Sequence, residues 1–210
     1  GVSRIRLHLL LDGRDVPPQS AHIYVEQLEQ QIKDLGQDSE QIKIASLGGR
    51  MKITMDRYGA DWAMVEKGWQ THVLGQGEQF PSANKGIDHF RSQRPDICDQ
   101  DLPPFVVAQN GKPVGSIEDH DSVIFFNFRG DRAVEICQAF EDPDFQKFDR
   151  VRYPQVMFAG MMEYDGDLKV PKNYLVDPPQ IQNTLGELLA SQGVRQFACS
   201  ETQKYGHVTY

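Results

Sequence analysis

Residues 125–136 read FFNFRGDRAVEI, and they contain the two kinds of element from which the fold is predicted. The apolar, aromatic-rich run at 123–126 is typical of a buried strand. The chain is expected to turn at Gly130, after which apolar residues at 133, 136, 137 and 140 follow helical spacing. A strand followed directly by a helix indicates an α/β protein.

Two arginines, Arg129 and Arg132, lie between the predicted strand and helix. In an open α/β sheet, ligands bind in the crevice beyond the carboxyl ends of the strands, and a helix start adds unpaired N–H groups. Two guanidinium groups there suit an anion with several oxygens, such as a phosphate or carboxylate. Alternatively, both arginines pair with surface carboxylates such as Asp131 and Glu135, which would contribute little. The stretch alone leaves both interpretations open.

The composition of the whole chain limits the classes of protein that it can belong to. Its 210 residues suffice for one large domain or two small ones. The net charge of −8 argues against nucleic-acid binding, which needs a basic face. No apolar run is long enough to cross a membrane, and the N-terminus lacks a signal-peptide layout. A strand begins almost at once, so we expect the chain to be cut from a longer one.

The three cysteines, Cys98, Cys137 and Cys199, are an odd number, and two of them lie in apolar segments. This usage predicts buried, reduced thiols in a cytoplasmic protein, not a disulfide framework.

Basic residues recur just after predicted strands. The strand at 5–11 runs into DGRD, where Arg14 is followed by Asp15, and the strand at 41–46 precedes Arg50 and Arg57. The DGRD loop can be a solvated turn, or it can present Arg14 to an oxyanion with Asp15 beside it as a base. A further strand, predicted at 196–199, is followed by Lys204.

The remaining pattern alternates strands and helices through most of the chain. Helices are predicted from Ser20 to Gly36, around Trp62 and Trp69, at 83–90 and at 184–192, with a hairpin at 105–108 and 114–117 and a strand at 155–163. We therefore predict one domain over residues 1–210, a three-layer α/β/α sandwich with a mainly parallel or mixed sheet and a small peripheral hairpin.

In such a sheet the basic residues can converge on one face and hold a small, doubly anionic substrate. The sequence lacks a Walker glycine loop, a Gly-x-Gly-x-x-Gly motif and a Gly-x-Ser-x-Gly elbow. Its nearest approach to metal-ligand spacing, Asp119-His120-Asp121, is interpreted as a polar turn, so no metal site is predicted. The residues alone indicate an anion-binding domain without an obvious nucleophile.

Five motifs, in this order, make the chain resemble the cofactor-independent (2,3-bisphosphoglycerate-independent) phosphoglycerate mutases. They are LDGRDVPP at 11–18, GGR at 48–50, MDR at 55–57, FNFRGDR at 126–132 and SETQKYGHVTY at 200–210. The segment GGRMKITMDRYGADW resembles the plant and trypanosomatid branch of that family.

The resemblance implies a glycolytic and gluconeogenic enzyme that interconverts 3-phosphoglycerate and 2-phosphoglycerate through a phosphoserine. It implies two domains in a monomeric parent: a phosphatase-like one with the serine and two divalent metal ions, usually Mn²⁺, and an inserted substrate-binding one. This chain is similar to the inserted domain only, so no cofactor is expected in it and the isolated fragment is expected to be inactive. A non-catalytic module that binds phosphorylated metabolites remains the alternative.

The same resemblance assigns roles to individual residues. It implies that Asp15 binds the glycerate hydroxyls and acts as acid or base. The residues that it implies in substrate binding are Arg14, Asp15, Arg50, Arg57, Arg129, Arg132 and Lys204. The family's substrate-contacting histidine lies in a motif upstream of this sequence.

Overall fold

A computed structural model describes residues 2–36, 41–177 and 181–201. The strands are β1 (Ile5–Leu11), β2 (Ile42–Gly49), β3 (Glu78–Phe80), β4 (Phe105–Gln109), β5 (Lys112–Pro113), β6 (Ser122–Phe125) and β7 (Met157–Gly160). The helices are α1 (Ala21–Asp34), α2 (Trp62–His72), α3 (Ala83–Gln93), α4 (Val134–Glu141) and α5 (Leu185–Ser191). Short 3-10 turns lie at Asp99–Asp101 and Gly130–Arg132.

The main sheet is mixed and has the strand order β1-β2-β4-β3, with β5 added to β4. Strand β1 pairs with β2 in parallel, and β4 runs parallel to β3 but antiparallel to β2. Helices α1 and α3 cover one face of this sheet, where Val25, Ile87 and Phe105 share a core. Helix α2 approaches the other face through His72, which hydrogen-bonds Ser46 of β2. The predicted α/β/α layering and mixed sheet are confirmed.

The strand predicted at 123–126 is β6, and it lies in a second, two-stranded sheet. Strand β6 pairs in parallel with β7. Val123 and Phe125 pack against a second core formed by α2, α4 and β7. The opposite side of β6 is open, with Ile124 56% exposed and Phe126 82% exposed. The strand was therefore predicted at the right place, but the prediction that it is buried was wrong for its outer side.

The predicted hairpin exists, but its second strand lies at Lys112–Pro113 and not at 114–117, and the hairpin is not wholly peripheral. Its first strand, β4, lies between β2 and β3 inside the main sheet, and only β5 is outside that path. The turn lies at Asn110 and Gly111, both of which have positive φ, as tight hairpin turns require. Sequence periodicity finds a strand but does not reveal its neighbours, which are set by long-range pairing.

Two other predictions were wrong. Residues 196–199 form no strand and are exposed. The three cysteines are free, but only Cys137 is buried, Cys98 is partly buried and Cys199 is exposed. Both errors arise because an apolar local sequence was taken to be buried, whereas burial depends on which distant segments cover it. Within the described ranges, no helix is long and apolar enough to span a membrane.

Candidate functional site

The turn before α4 brings two of the predicted arginines together with a third from a distant loop. Asp131 accepts from Arg57 Nη2 at 2.6 Å and from Arg129 Nη2 at 3.1 Å. The side chains of Asp131 and Arg57 are 14% and 16% exposed, so their ion pair is shielded from water. Arg129 is 54% exposed and faces solvent. Asp131 thus joins one inner and one outer guanidinium group.

Arg132 joins the same group from the end of the turn. Its Nη1 donates to the carbonyl oxygen of Met55 at 2.7 Å, two residues before Arg57. Burial lowers the pKa of Arg132, and the positive charges of Arg57 and Arg50 lower it further against the opposing effect of two aspartates. Three guanidinium groups are therefore close enough to repel one another. An anion with several oxygens would relieve that repulsion.

Arg50 connects this group to the loop that follows β1. Its Nε lies 2.7 Å from Asp12 Oδ1, and the other carboxylate oxygen of Asp12 accepts from the backbone N–H of Asp15 at 3.1 Å. Arg14 and Asp15 themselves are exposed. Both predicted residues of the loop are thus open to solvent, next to an aspartate that is bound to the arginine group.

The base of this loop is held by Asp99, which is 1% exposed. Asp99 accepts from the N–H of Ala21, the first residue of α1, at 2.7 Å and from Arg91 Nη2 at 2.5 Å. Its own backbone N–H donates to the carbonyl of Pro18 at 2.8 Å. Ser20, the residue before α1, makes no side-chain cap. A buried aspartate from a distant turn takes that place.

We call Arg50, Arg57, Arg129 and Arg132 the arginine cluster. The structure brings these four predicted residues together, and it places Arg14 and Asp15 on the neighbouring loop. The seventh predicted residue, Lys204, lies outside the described residues. Asp12 and Asp131 form ion pairs with arginines of the cluster, in a chain that carries a net charge of −8.

Three carboxylates shape this site: sequence reasoning gave Asp12 no role, and it named Asp131 and Glu135 only as possible surface partners of the arginines. Asp12 and Asp131 each stand within two residues of a cluster or loop arginine, a local signal that could have identified them. Glu135 was considered as a partner for the arginines, but its Oε1 accepts instead from the N–H of Gly59 at 2.8 Å. Asp131 does pair with Arg129, as the alternative interpretation required, but it also bridges to the shielded Arg57.

Guanidinium groups that lie together in this way can bind and orient an anion, because each presents five N–H donors in a planar fork. In residues 2–36, 41–177 and 181–201, no group of three or more His, Cys, Asp or Glu side chains is placed to hold a metal ion. The residues described here therefore do not fit a divalent metal centre. Fold and site together define an α/β domain in which arginines that follow strands lie close together.

Comparisons with known proteins name the family. The family model described as BPG-independent PGAM N-terminus (iPGM_N) matches residues 1–166, so the chain belongs to that family. Over its full length it is 59% identical to a probable 2,3-bisphosphoglycerate-independent phosphoglycerate mutase of Leptospira interrogans. It is 52% identical to the 2,3-bisphosphoglycerate-independent phosphoglycerate mutase of Trypanosoma brucei brucei. In both cases the chain spans 38% of the relative's length.

A solved structure shows the same fold. The Leishmania mexicana phosphoglycerate mutase, crystallised at low cobalt concentration, matches with a TM-score of 0.88 and 52% sequence identity. The match covers all of this chain and 38% of the mutase chain.

Proposed function

We propose that this chain is the substrate-binding domain of a phosphoglycerate mutase that interconverts 3-phosphoglycerate and 2-phosphoglycerate. The observation that carries the proposal is the arginine cluster, in which Asp131 ties together arginines from two separate loops and Asp12, from a third loop, binds Arg50. Phosphoglycerate carries a phosphate and a carboxylate, so it suits several guanidinium groups at one place. Family membership of residues 1–166 supports the same conclusion.

In this proposal residues 1–210 form a single domain whose task is positioning. The shielded Arg57 and Arg132 hold one anionic group of the substrate, and the exposed Arg129 and Arg14 close on it from the solvent side. Fixed guanidinium groups lower the entropic cost of reaction by holding the substrate in a reactive orientation. Asp15, exposed beside Arg14, contacts the glycerate hydroxyls and serves as the acid or base. Lys204 completes the set.

The remaining chemistry belongs to the part of the parent protein outside this chain. There, two divalent metal ions, preferably Mn²⁺, stabilise the charge that develops during phosphoryl transfer to and from a serine. The parent acts as a cytoplasmic monomer, and this chain alone is inactive because it lacks the serine and the metal centre.

The test compares two arginine–aspartate pairs of similar exposure in the full-length protein. Arg129 is 54% exposed and bound to Asp131 at 3.1 Å, whereas Arg4, outside the cluster, is 48% exposed and bound to Asp121 at 3.2 Å. Arg129→Ala should lower kcat/KM for 3-phosphoglycerate by about tenfold or more, the equivalent of about 1.4 kcal/mol. Arg4→Ala should leave kcat/KM unchanged. Equal effects of the two substitutions would contradict the proposal, and binding of 3-phosphoglycerate without turnover would favour the non-catalytic module.

A further inference from the structure

The loop that carries Arg57 is joined both to the turn before α4 and to the start of α4 itself. Arg132 donates to the carbonyl of Met55, and Asp131 pairs with Arg57. The third contact is made by Glu135, in the first turn of α4, whose Oε1 accepts from the N–H of Gly59 at 2.8 Å. The first two contacts involve the arginine cluster itself. Glu135 is not part of the arginine cluster, but it contacts the loop that carries Arg57.

Glu135 is placed unusually for a carboxylate. It is 4% exposed, and its Oε2 has no hydrogen-bond partner among the residues that the structure describes. Burial raises its pKa, the N–H groups of Glu135 itself, Gly59 and Tyr58 lower it, and the negative charge of Asp56 raises it. A buried carboxylate is costly unless it is well bound, so a residue at this position needs a role.

The backbone that Glu135 binds is strained. Tyr58 and Gly59 both have positive φ, +61° and +65°. A bulky residue such as Tyr58 rarely adopts this conformation, and it persists only where surrounding contacts enforce it. Successive backbone N–H groups in such a turn form a concave site for acceptor oxygens, and here Glu135 supplies the oxygen that the N–H of Gly59 binds. The turn begins directly after Arg57, so its conformation sets the position of that guanidinium group.

We propose that Glu135 is a positioning residue, which fixes the Tyr58–Gly59 turn and thereby presents Arg57 to the substrate. The inference rests on the proposed function, because the substrate it serves is phosphoglycerate. Its role requires an acceptor oxygen at the end of a side chain of this length. A negative charge is not required.

Two substitutions separate the effect of side-chain length from the effect of negative charge. Glu135→Gln keeps the acceptor oxygen and the length but removes the charge, whereas Glu135→Asp keeps the charge but is one methylene too short to reach Gly59. In the full-length protein, KM for 3-phosphoglycerate should stay within about twofold for Glu135→Gln and rise about tenfold for Glu135→Asp. Glu141→Ala is the matched control, because Glu141 also lies on α4 and also accepts from a backbone N–H, that of Lys172 at 2.9 Å. It should leave KM unchanged.

A double-mutant cycle tests whether Glu135 acts through Arg57. In an Arg57→Ala background, adding Glu135→Asp should change KM by less than about twofold, because the group that it positions is already gone. A full tenfold effect in that background, or the reverse order of the Gln and Asp variants, would overturn the inference.

Hydrogen exchange gives a readout that does not depend on activity. Exchange of the Gly59 amide should accelerate in Glu135→Asp and stay slow in Glu135→Gln and Glu141→Ala. If the wild-type protein turns over no phosphoglycerate, the proposed function fails while the exchange data still decide whether Glu135 holds the turn. Unchanged Gly59 exchange in Glu135→Asp would refute the positioning role by itself.

Discussion

Acidification should destabilise the fold through two histidines that lie where β1, β2 and α2 meet, the buried His72 and the half-buried His8. Ser46 Oγ lies 2.7 Å from His8 Nδ1 and 2.9 Å from His72 Nδ1, and His72 Nε2 lies 3.0 Å from Thr54 Oγ1. Burial lowers the pKa of His8 from 6.5 to about 4. Burial, and then the nearby His8, hold the pKa of His72 well below 6.5. Both rings are therefore neutral in the folded protein near neutral pH.

The sign and size of the effect follow from linkage. A histidine whose folded pKa is depressed binds protons more readily in the unfolded protein. The stability of the folded protein is therefore unaffected by this histidine above about pH 6.5 and falls as the pH falls toward 4. Between about pH 7.5 and about pH 5.0, His8 alone should account for a loss of about 2 kcal/mol in the free energy of unfolding. His72 should add to this loss.

Urea unfolding at these two pH values, followed by tryptophan fluorescence, measures the loss directly. Both tryptophans, Trp62 and Trp69, lie on α2, which ends at His72. The comparison is His8→Asn, whose amide can still hydrogen-bond Ser46 but does not titrate. This variant should lose about 2 kcal/mol less than the wild type on acidification. Equal losses in the two proteins would refute the assignment of the pH dependence to His8.

Three further predictions concern stability. Gly68→Ala should destabilise the fold by about 1–3 kcal/mol, because an added Cβ would lie 2.9 Å from the backbone N of Thr54; an unchanged melting temperature would contradict this. Asp99→Asn should lower the free energy of unfolding, measured by thermal denaturation, by about 3 kcal/mol. It removes the charge that pairs with Arg91 at 2.5 Å in a nearly buried position. A loss below about 1 kcal/mol would show that the charge is dispensable. Thr184→Ala should destabilise α5 by about 1 kcal/mol by removing its capping box, seen as faster amide exchange confined to 185–191, and uniform exchange changes elsewhere would argue against a local cap.

The local elements were largely predictable because their signals are local. The spacing of Val25, Leu28 and Ile32 gave α1, and that of Val65 and Trp69 gave α2, since a helix buries one face at a period of 3.6 residues. Arginines after strands identified the members of the arginine cluster without any structural information, because ligand sites of α/β proteins lie at strand ends. The roles assigned to these arginines stay predictions until turnover is measured.

Burial and strand order were not predictable in the same way. The sequence around Phe126 is as apolar as a core strand, yet the side chain is 82% exposed, and Glu135 looks like a surface residue but is 4% exposed. In each case the outcome depends on which distant segment packs there. The local spacing of apolar residues does not indicate that β4 lies between β2 and β3.

By itself, the sequence predicted most of the helices and strands, the α/β class and a set of arginines suited to an anion, because these depend on neighbours a few positions apart. Only the tertiary structure decided that Asp131 joins Arg57 to Arg129 and that Glu135 holds the turn after Arg57. Those contacts link segments more than 70 residues apart, and their geometry follows from the packing of α4 beside α2, which no local pattern encodes.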